Sequence, residues 1–252
     1  MMISRRKMVG LGLAAAATSV ATGAISPLQA QHSETHPIVV ELFTSQGCYS
    51  CPPADAYLGE LVKRQDVIGL AFHVDYWDYI GWPDPFASPH HTQRQRTYGR
   101  VMDLRTIYTP QMVIDGVLDR VGSRRHQVAE ALALRASASP VERISVPVTL
   151  GKAGVRTVEI DIPKASLPND ADVWFISYTD EHLTHVKRGE NANKTLSEFN
   201  IVRSYYRVGE YKGQALRGTI ENDLIHEEAD GVVVLLQAKN QGPIWGAAEL
   251  RL

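Results

Sequence analysis

The 252-residue sequence contains only two cysteines, Cys48 and Cys51. This number excludes a disulfide-rich scaffold and a four-cysteine zinc site within one chain. Basic residues (26) and acidic residues (28) nearly balance, which argues against a nucleic-acid binder that relies on bulk positive charge. No apolar run reaches the roughly 20 residues of a spanning helix, so we expect no stable membrane span in the mature chain. The sequence also lacks the motifs of a phosphate loop, a serine-hydrolase elbow or a zinc protease.

The first thirty residues have the composition of an export signal. A basic start that contains Arg5 and Arg6 precedes a stretch rich in Ala, Gly and Leu, and Ala30 provides a small residue for cleavage. We therefore predict that residues 1–30 are a signal peptide and that the protein is periplasmic or secreted. The arginine pair fits the twin-arginine route, but it fits an ordinary basic signal region as well.

Residues 36–140 alternate between strand-like and helix-like stretches, which predicts an α/β domain. A helix that joins two consecutive strands makes them parallel, and the later dipeptide Asp115-Gly116 indicates a β-hairpin. A final helix is expected to end at Pro140. The predicted strands lie at 38–43, 67–75, 111–115 and 117–121, and the predicted helices at 54–65, at 123–139 and in part of 85–100.

From residue 141 to residue 252 the pattern changes to short strands separated by turn clusters. Such spacing predicts an all-β antiparallel sandwich or barrel, and therefore a second domain with a boundary near residue 140. The predicted strands lie at 144–150, 155–162, 173–178, 184–187, 201–208, 232–238 and 244–250.

The most informative motif is the Cys-x-x-Cys pair of Cys48 and Cys51, which lies between a predicted strand and a predicted helix. A helix start stabilises a thiolate, and the spacing lets Cys51 attack a mixed disulfide formed on Cys48. A structural disulfide is the alternative, but so short a loop constrains the unfolded chain little. Two prolines follow Cys51 and suit a first helical turn, so the helix could begin only at Cys51 and leave the pKa of Cys48 open.

The strand, the cysteine pair and the helix, with Thr109 and Pro110 leading into a hairpin, resemble the thioredoxin fold. The resemblance implies a cis peptide bond before Pro110, with this proline facing the cysteines. It also implies that Thr109 offers backbone groups to an extended substrate peptide. The chain departs from ordinary thioredoxins at Gly47, where they have tryptophan, and in the Tyr-Ser dipeptide between the cysteines.

A narrower resemblance covers nearly the whole mature chain. The segments at 41–48, 51–55, 72–78, 108–116 and 187–191 resemble the exported proteins grouped as domain of unknown function 1223. That family name carries no activity. The resemblance therefore implies the fold and the cysteine site, but no substrate.

Two residues on the predicted strands have open roles. Glu41 could accept a proton from Cys51 if its side chain faces the cysteines, or it could be a solvated strand residue; a shift of one residue in register decides between them. His73 could join Cys48 and Cys51 in a soft site for copper or zinc, or form hydrogen bonds at a polar strand end.

These observations predict an exported thiol–disulfide oxidoreductase that needs no cofactor and acts on exported protein thiols or small thiols. Cys48 would attack, Cys51 would resolve, and Thr109 and Pro110 would position the substrate. A metal-binding or metallochaperone protein and a non-catalytic interaction module are the alternatives.

Overall fold

The computed structural model describes residues 36–154 and 156–252. The predicted signal peptide, residues 1–30, lies outside them. The described chain forms strands and helices in the following order: β1 (Ile38–Thr44), α1 (Pro52–Leu61), β2 (Val67–His73), α2 (Pro89–Val101), β3 (Gln111–Ile114), β4 (Leu118–Val121), α3 (Arg125–Ala136), β5 (Thr149–Gly154), β6 (Thr157–Ile162), β7 (Ala171–His185), β8 (Thr195–Tyr211), β9 (Leu216–Ile220), β10 (Gly231–Ala238) and β11 (Ile244–Arg251).

The first half begins with the predicted β–α–β unit. Strand β1 is parallel to β2 and antiparallel to β3, and β3 and β4 form the predicted hairpin. Every residue of β1 and β2 is buried, as expected for short apolar runs covered on both faces of a sheet. Side chains of α1 and α3 pack with Val40 and Leu42 on one face of β1. Tyr98 of α2 packs with Val39 and Phe43 on the other face.

The strands of the second half continue the sheet of the first half. One eight-stranded sheet has the order β11-β10-β7-β8-β2-β1-β3-β4, and β2 meets β8 in parallel at Ala71 and Ile201. The remaining strands form a small antiparallel sheet, β5-β6-β9, whose apolar side chains share a core with β7, β10 and β11. The prediction of an all-β sandwich or barrel for residues 141–252 is therefore correct only in its antiparallel strands. The boundary predicted near residue 140 falls between α3 and β5.

The longest hairpin extends beyond the strands that flank it. Strand β10 pairs with β7 only as far as Tyr178, whereas β7 and β8 remain paired from there to His185 and Thr195. We call residues 179–199 the β7–β8 arm. The arm packs on α1, where a Cβ atom at Gly59 would overlap the ring of Phe199. The sequence predicts two separate strands here, at 173–178 and 184–187, whereas the structure has one continuous strand whose residues 181–183 are exposed.

None of the helices within the described residues is long and apolar enough to cross a membrane.

Candidate functional site

The two cysteines form a disulfide at the start of α1. Their Cα atoms lie 5.4 Å apart, and Cys51 is the residue that precedes the helix, with its carbonyl accepting from the N–H groups of Ala54 and Asp55. The helix therefore begins after Cys51 and not at Cys48. Its first two positions are prolines without an N–H group, so they cannot donate to a thiolate on Cys48.

A hydroxyl group lies beside the first cysteine instead. The Oγ atom of Ser50 is 3.4 Å from the Sγ atom of Cys48. In the reduced protein this hydroxyl can donate to the Cys48 thiolate, and a donor to the charged form lowers a pKa. Sequence reasoning missed Ser50 because the spacer between two cysteines carries no general signal of its own.

Replacing Ser50 with alanine is expected to raise the pKa of the Cys48 thiol by about one unit, the size of a lost hydrogen bond to a charged group. A less stable thiolate also favours the disulfide, so the reduction potential should become more negative. Ultraviolet titration of the thiolate and equilibration with a glutathione buffer measure the two quantities. The control Ser50→Thr keeps the hydroxyl and should change neither; an unchanged pKa in Ser50→Ala would remove this role.

The Thr109-Pro110 peptide bond is cis. The Nε1 atom of Trp77 donates to the Oγ1 atom of Thr109 over 2.8 Å. Trp77 also packs against the cysteine loop, because a Cβ atom at Gly47 would lie only 3.0 Å from the Trp77 Cβ atom. Trp77 thus bridges the cis-proline turn and the cysteine loop, and the small residue at position 47 lets it approach.

The tip of the β7–β8 arm is hydrogen-bonded to the cysteine loop. The Nδ2 atom of buried Asn191 donates to the carbonyls of Gln46 and Cys48, both over 2.9 Å. A carboxylate oxygen of exposed Glu190 accepts from the N–H of Tyr49 over 3.2 Å. In this loop Cys48 is 1% exposed and Cys51 is fully buried. Both arm residues belong to the 187–191 segment of the family resemblance, whose contact with the cysteine loop the sequence pattern alone does not establish.

A buried polar cluster lies next to the same loop. The N–H of Gln46 donates to Asp84 over 2.8 Å, and its side-chain amide donates to Glu198 of the arm over 2.8 Å. The Nδ1 atom of His73 lies 2.7 Å from the same oxygen of Asp84. The Nε2 atom of His73 is 3.8 Å from Glu198. Gln46, two residues before Cys48, therefore connects the cysteine loop to three buried ionisable groups.

These groups shift each other's proton affinity. Burial alone would lower the pKa of His73, but Asp84 and Glu198 together outweigh it and raise that pKa to about 9. Burial favours the neutral form of Asp84, yet the positive charge of His73 and the hydrogen bonds to the carboxylate hold its pKa below the ordinary range. At neutral pH the cluster accordingly contains a buried imidazolium–carboxylate pair.

Asp55 is the buried carboxyl group closest in sequence to the cysteines. It accepts from the Oγ1 atom of Thr44 over 2.8 Å. Burial, with a smaller contribution from the charge of Glu198, raises the pKa of Asp55 to about 7. Residues four apart share a helix face, and helical side chains tilt toward the N-terminus, so Asp55 is on the same side of α1 as Cys51.

Glu41 lies in a different environment. The Nε atom of Arg94 donates to one carboxylate oxygen of Glu41 over 2.6 Å, and the hydroxyl of Tyr98 donates to the other. Glu41 alternates with Val40 and Leu42 along β1 and so points to the α2 side of the sheet, opposite α1. The register that the sequence left open therefore places Glu41 in a buried ion pair.

His73 likewise has partners other than the cysteines. One ring nitrogen contacts Asp84, and the other has no hydrogen-bond partner among the described residues. In residues 36–154 and 156–252 no group of three or more His, Cys, Asp or Glu side chains is arranged to hold a metal ion. The alternative site of Cys48, Cys51 and His73 is thus not formed in this structure.

Comparison with known proteins assigns the chain to a family. The model of a family described as protein of unknown function (DUF1223) matches residues 39–237. The chain belongs to the DUF1223 family. The resemblance found from the five sequence segments is confirmed.

Two solved structures are similar to this DUF1223 protein. The crystal structure of protein AGR_C_4864 from Agrobacterium tumefaciens is 34% identical, with a TM-score of 0.75, over 87% of this chain and 96% of that one. HBP35 of Porphyromonas gingivalis is 11% identical, with a TM-score of 0.55, over 87% of this chain and 76% of that one. At this low identity the second likeness concerns the fold alone. No curated protein matches the chain at a significant level.

Proposed function

We propose that this DUF1223 protein is a thiol–disulfide oxidoreductase with a thioredoxin-like first half. The observation that carries the proposal is the Cys48–Cys51 disulfide at the start of α1, in a loop that Trp77 links to the turn with the cis Thr109-Pro110 bond. A structural staple is a weaker explanation, because closing so short a loop adds little stability. Thr109 and Pro110 position the substrate next to the disulfide.

The reaction needs no group beyond the two cysteines and a substrate with two thiols. A substrate thiolate attacks the Sγ atom of Cys48, the Cys48–Cys51 bond breaks, and Cys51 leaves as a thiolate that takes up a proton. The second substrate thiolate then attacks the substrate sulfur of the mixed disulfide and releases Cys48. Two electrons pass from the substrate to the protein. Each substrate thiol releases its proton to the solvent when it ionises, Cys51 takes up one proton, and Cys48 is released as a thiolate that equilibrates with the solvent. The reverse sequence reduces a substrate disulfide.

Cys48 is the attacking cysteine in this proposal. Its neighbours Tyr49 and Ser50 are exposed, whereas Cys51 is fully buried at the first turn of α1. A substrate that displaces the Tyr49–Glu190 contact reaches Cys48 first. In the reducing direction Cys48 attacks the substrate disulfide, and the buried Cys51 then resolves the mixed disulfide.

Asp55 is the proton acceptor for Cys51 in this proposal, in place of the predicted Glu41. A carboxyl group with a pKa of about 7 can both take up and release a proton near neutral pH. Glu41, by contrast, has both oxygens hydrogen-bonded to Arg94 and Tyr98.

Single-cysteine variants test the proposal directly. Incubated with cell-envelope proteins, Cys51→Ser is expected to accumulate mixed disulfides through Cys48, because no resolving thiol remains. Cys48→Ser should accumulate far fewer, since Cys51 is buried. Mass spectrometry of the trapped adducts, released by reductant, identifies both the attachment site and the class of partner.

Three other outcomes contradict parts of the proposal. Trapping through Cys51 alone would reverse the assigned roles. No adducts in either variant, together with no exchange between the wild type and dithiothreitol, would favour a structural disulfide. Metal retained by the reduced wild type and lost in both variants would favour the metallochaperone alternative.

We also propose that the protein acts outside the cytoplasm, after removal of residues 1–30, on exported protein thiols or small thiols. An oxidising compartment is where disulfides persist. Cell fractionation tests this proposal, and an uncleaved chain that remains in the cytoplasm would contradict it.

A further inference from the structure

A groove opens to solvent next to the buried disulfide. It has a volume of about 560 Å³ and is lined by Tyr49, Ser50, Trp77 and Glu190, within the size range of small-ligand sites. Tyr49 and Ser50 lie between the two cysteines, and the Oγ atom of Ser50 is 3.4 Å from the Sγ atom of Cys48, so the groove adjoins the reacting sulfur. The groove is therefore placed to select what flanks a substrate cysteine.

The chemistry of the lining favours a positive charge. Tyr49 and Trp77 provide two aromatic rings, whose faces attract cations, and Glu190 provides the only carboxylate among the lining residues. One oxygen of Glu190 accepts from the Tyr49 N–H, so the carboxylate lies at the rim, where an incoming basic side chain can compete with this N–H for it.

A basic side chain that contacts Tyr49 does not line the groove. The Nζ atom of Lys194 lies 4.4 Å from the centroid of the Tyr49 ring and donates to the Asn191 side chain over 2.9 Å. This contact shows that the ring of Tyr49 can hold an ammonium group, here that of Lys194 from the β7–β8 arm. Lys194 does not line the groove, and Glu190 does.

We propose that the preferred substrates carry a lysine or arginine next to the reacting cysteine, with the basic side chain held between the aromatic rings and Glu190. This inference rests on the proposed thiol–disulfide exchange and specifies its substrate class. Glu190 and Trp77 determine specificity, and neither takes part in the exchange of sulfur bonds.

Two matched peptides test the inference. Each has two cysteines and the same sequence, except that lysine or glutamate flanks the first cysteine. Because a neighbouring charge changes the reactivity of a thiol, each rate with the oxidised protein is divided by the rate of the same peptide with hydroxyethyl disulfide. The normalised ratio for lysine over glutamate should be about fivefold, the size of a partly exposed ion pair plus one cation–π contact.

Variants then locate the source of the preference. Glu190→Gln should reduce the ratio to about twofold or less, and Glu190→Lys should invert it. Glu159→Gln removes one exposed carboxylate from the small sheet, far along the chain, and should keep the wild-type ratio. The preference should also weaken as salt is raised, since exposed charges are screened.

The outcomes distinguish a failure of this inference from a failure of the proposed thiol–disulfide exchange. A wild type that reacts with both peptides at equal normalised rates overturns the inference and leaves the exchange activity standing. A ratio that survives unchanged in Glu190→Gln and Glu190→Lys also overturns it. A protein that exchanges with neither peptide nor with dithiothreitol overturns both.

Discussion

Replacing Arg94 with methionine is expected to lower the free energy of unfolding by about 3–5 kcal/mol, the usual cost of removing one partner of a buried ion pair. The Arg94 side chain is completely buried, and its Nε atom donates to Glu41 over 2.6 Å. Its guanidinium also lies 4.9 Å from the ring centroid of Tyr205 and 5.1 Å from that of Tyr98. The variant leaves the carboxylate of Glu41 buried without its countercharge.

Urea unfolding measures the loss. The matched control is Arg64→Met, because Arg64 pairs with Asp66 at the surface, where such pairs contribute no more than about 1 kcal/mol. The double variant Glu41→Gln/Arg94→Met removes both charges and should recover part of the stability. A loss for Arg94→Met no larger than the loss for Arg64→Met would contradict the role assigned to this pair.

The second large effect concerns pH and Asp55. Its pKa rises from an ordinary value of 3.8 to about 7 in the folded protein. The folded state therefore holds this proton more tightly than the unfolded state, and the resulting stability is present below pH 4 and lost as the pH rises to about 7. The loss corresponds to roughly 4 kcal/mol.

Asp55→Asn keeps a hydrogen-bond acceptor for Thr44 and removes the ionisation. Relative to the wild type, this variant should become more stable by roughly 4 kcal/mol between pH 4 and pH 8. The groups that act on Asp55 electrostatically are Glu198, His73 and Asp84, and they remain in both proteins. The difference between the free energies of unfolding of the two proteins at each pH therefore cancels most of the contribution of these three groups.

The control Glu159→Gln removes an exposed carboxylate and should show no such divergence. If the two stability curves of Asp55→Asn and the wild type run parallel, the raised pKa is refuted. Asp55→Asn should also change the kinetics. The rate at which Cys51 resolves a mixed disulfide should fall, and it should no longer depend on pH near 7. A stability change without that kinetic change would leave Asp55 as a buried acid with no part in proton transfer.

The local parts of the site could be predicted from the sequence because their signals are local. Cys48 and Cys51 stand in one motif, the strand before them is a short apolar run, and two prolines indicate the first turn of α1. The dipeptide Asp115-Gly116 correctly predicted a hairpin, since β3 ends at Ile114 and β4 begins at Leu118.

The parts contributed by distant residues could not be predicted in this way. Asn191 reaches a carbonyl 145 residues earlier in the chain, and Glu198 binds the side chain of Gln46 from 152 residues away. Which face Glu41 takes depended on a register that only its partner Arg94 reveals. The pairing of β2 with β8 likewise follows from no pattern in either strand, so the sequence predicts two separate domains where the structure has one continuous sheet.

The β7–β8 arm has a consequence for how the protein is made. The ribosome adds Cys48 to the chain 143 residues before Asn191, so the hydrogen bonds from Asn191 to the carbonyls of Gln46 and Cys48 form only after the arm has been made. Until then the cysteine loop is held by contacts within the first half of the chain alone. The order of synthesis thus separates the formation of the loop from the formation of its contacts with the arm.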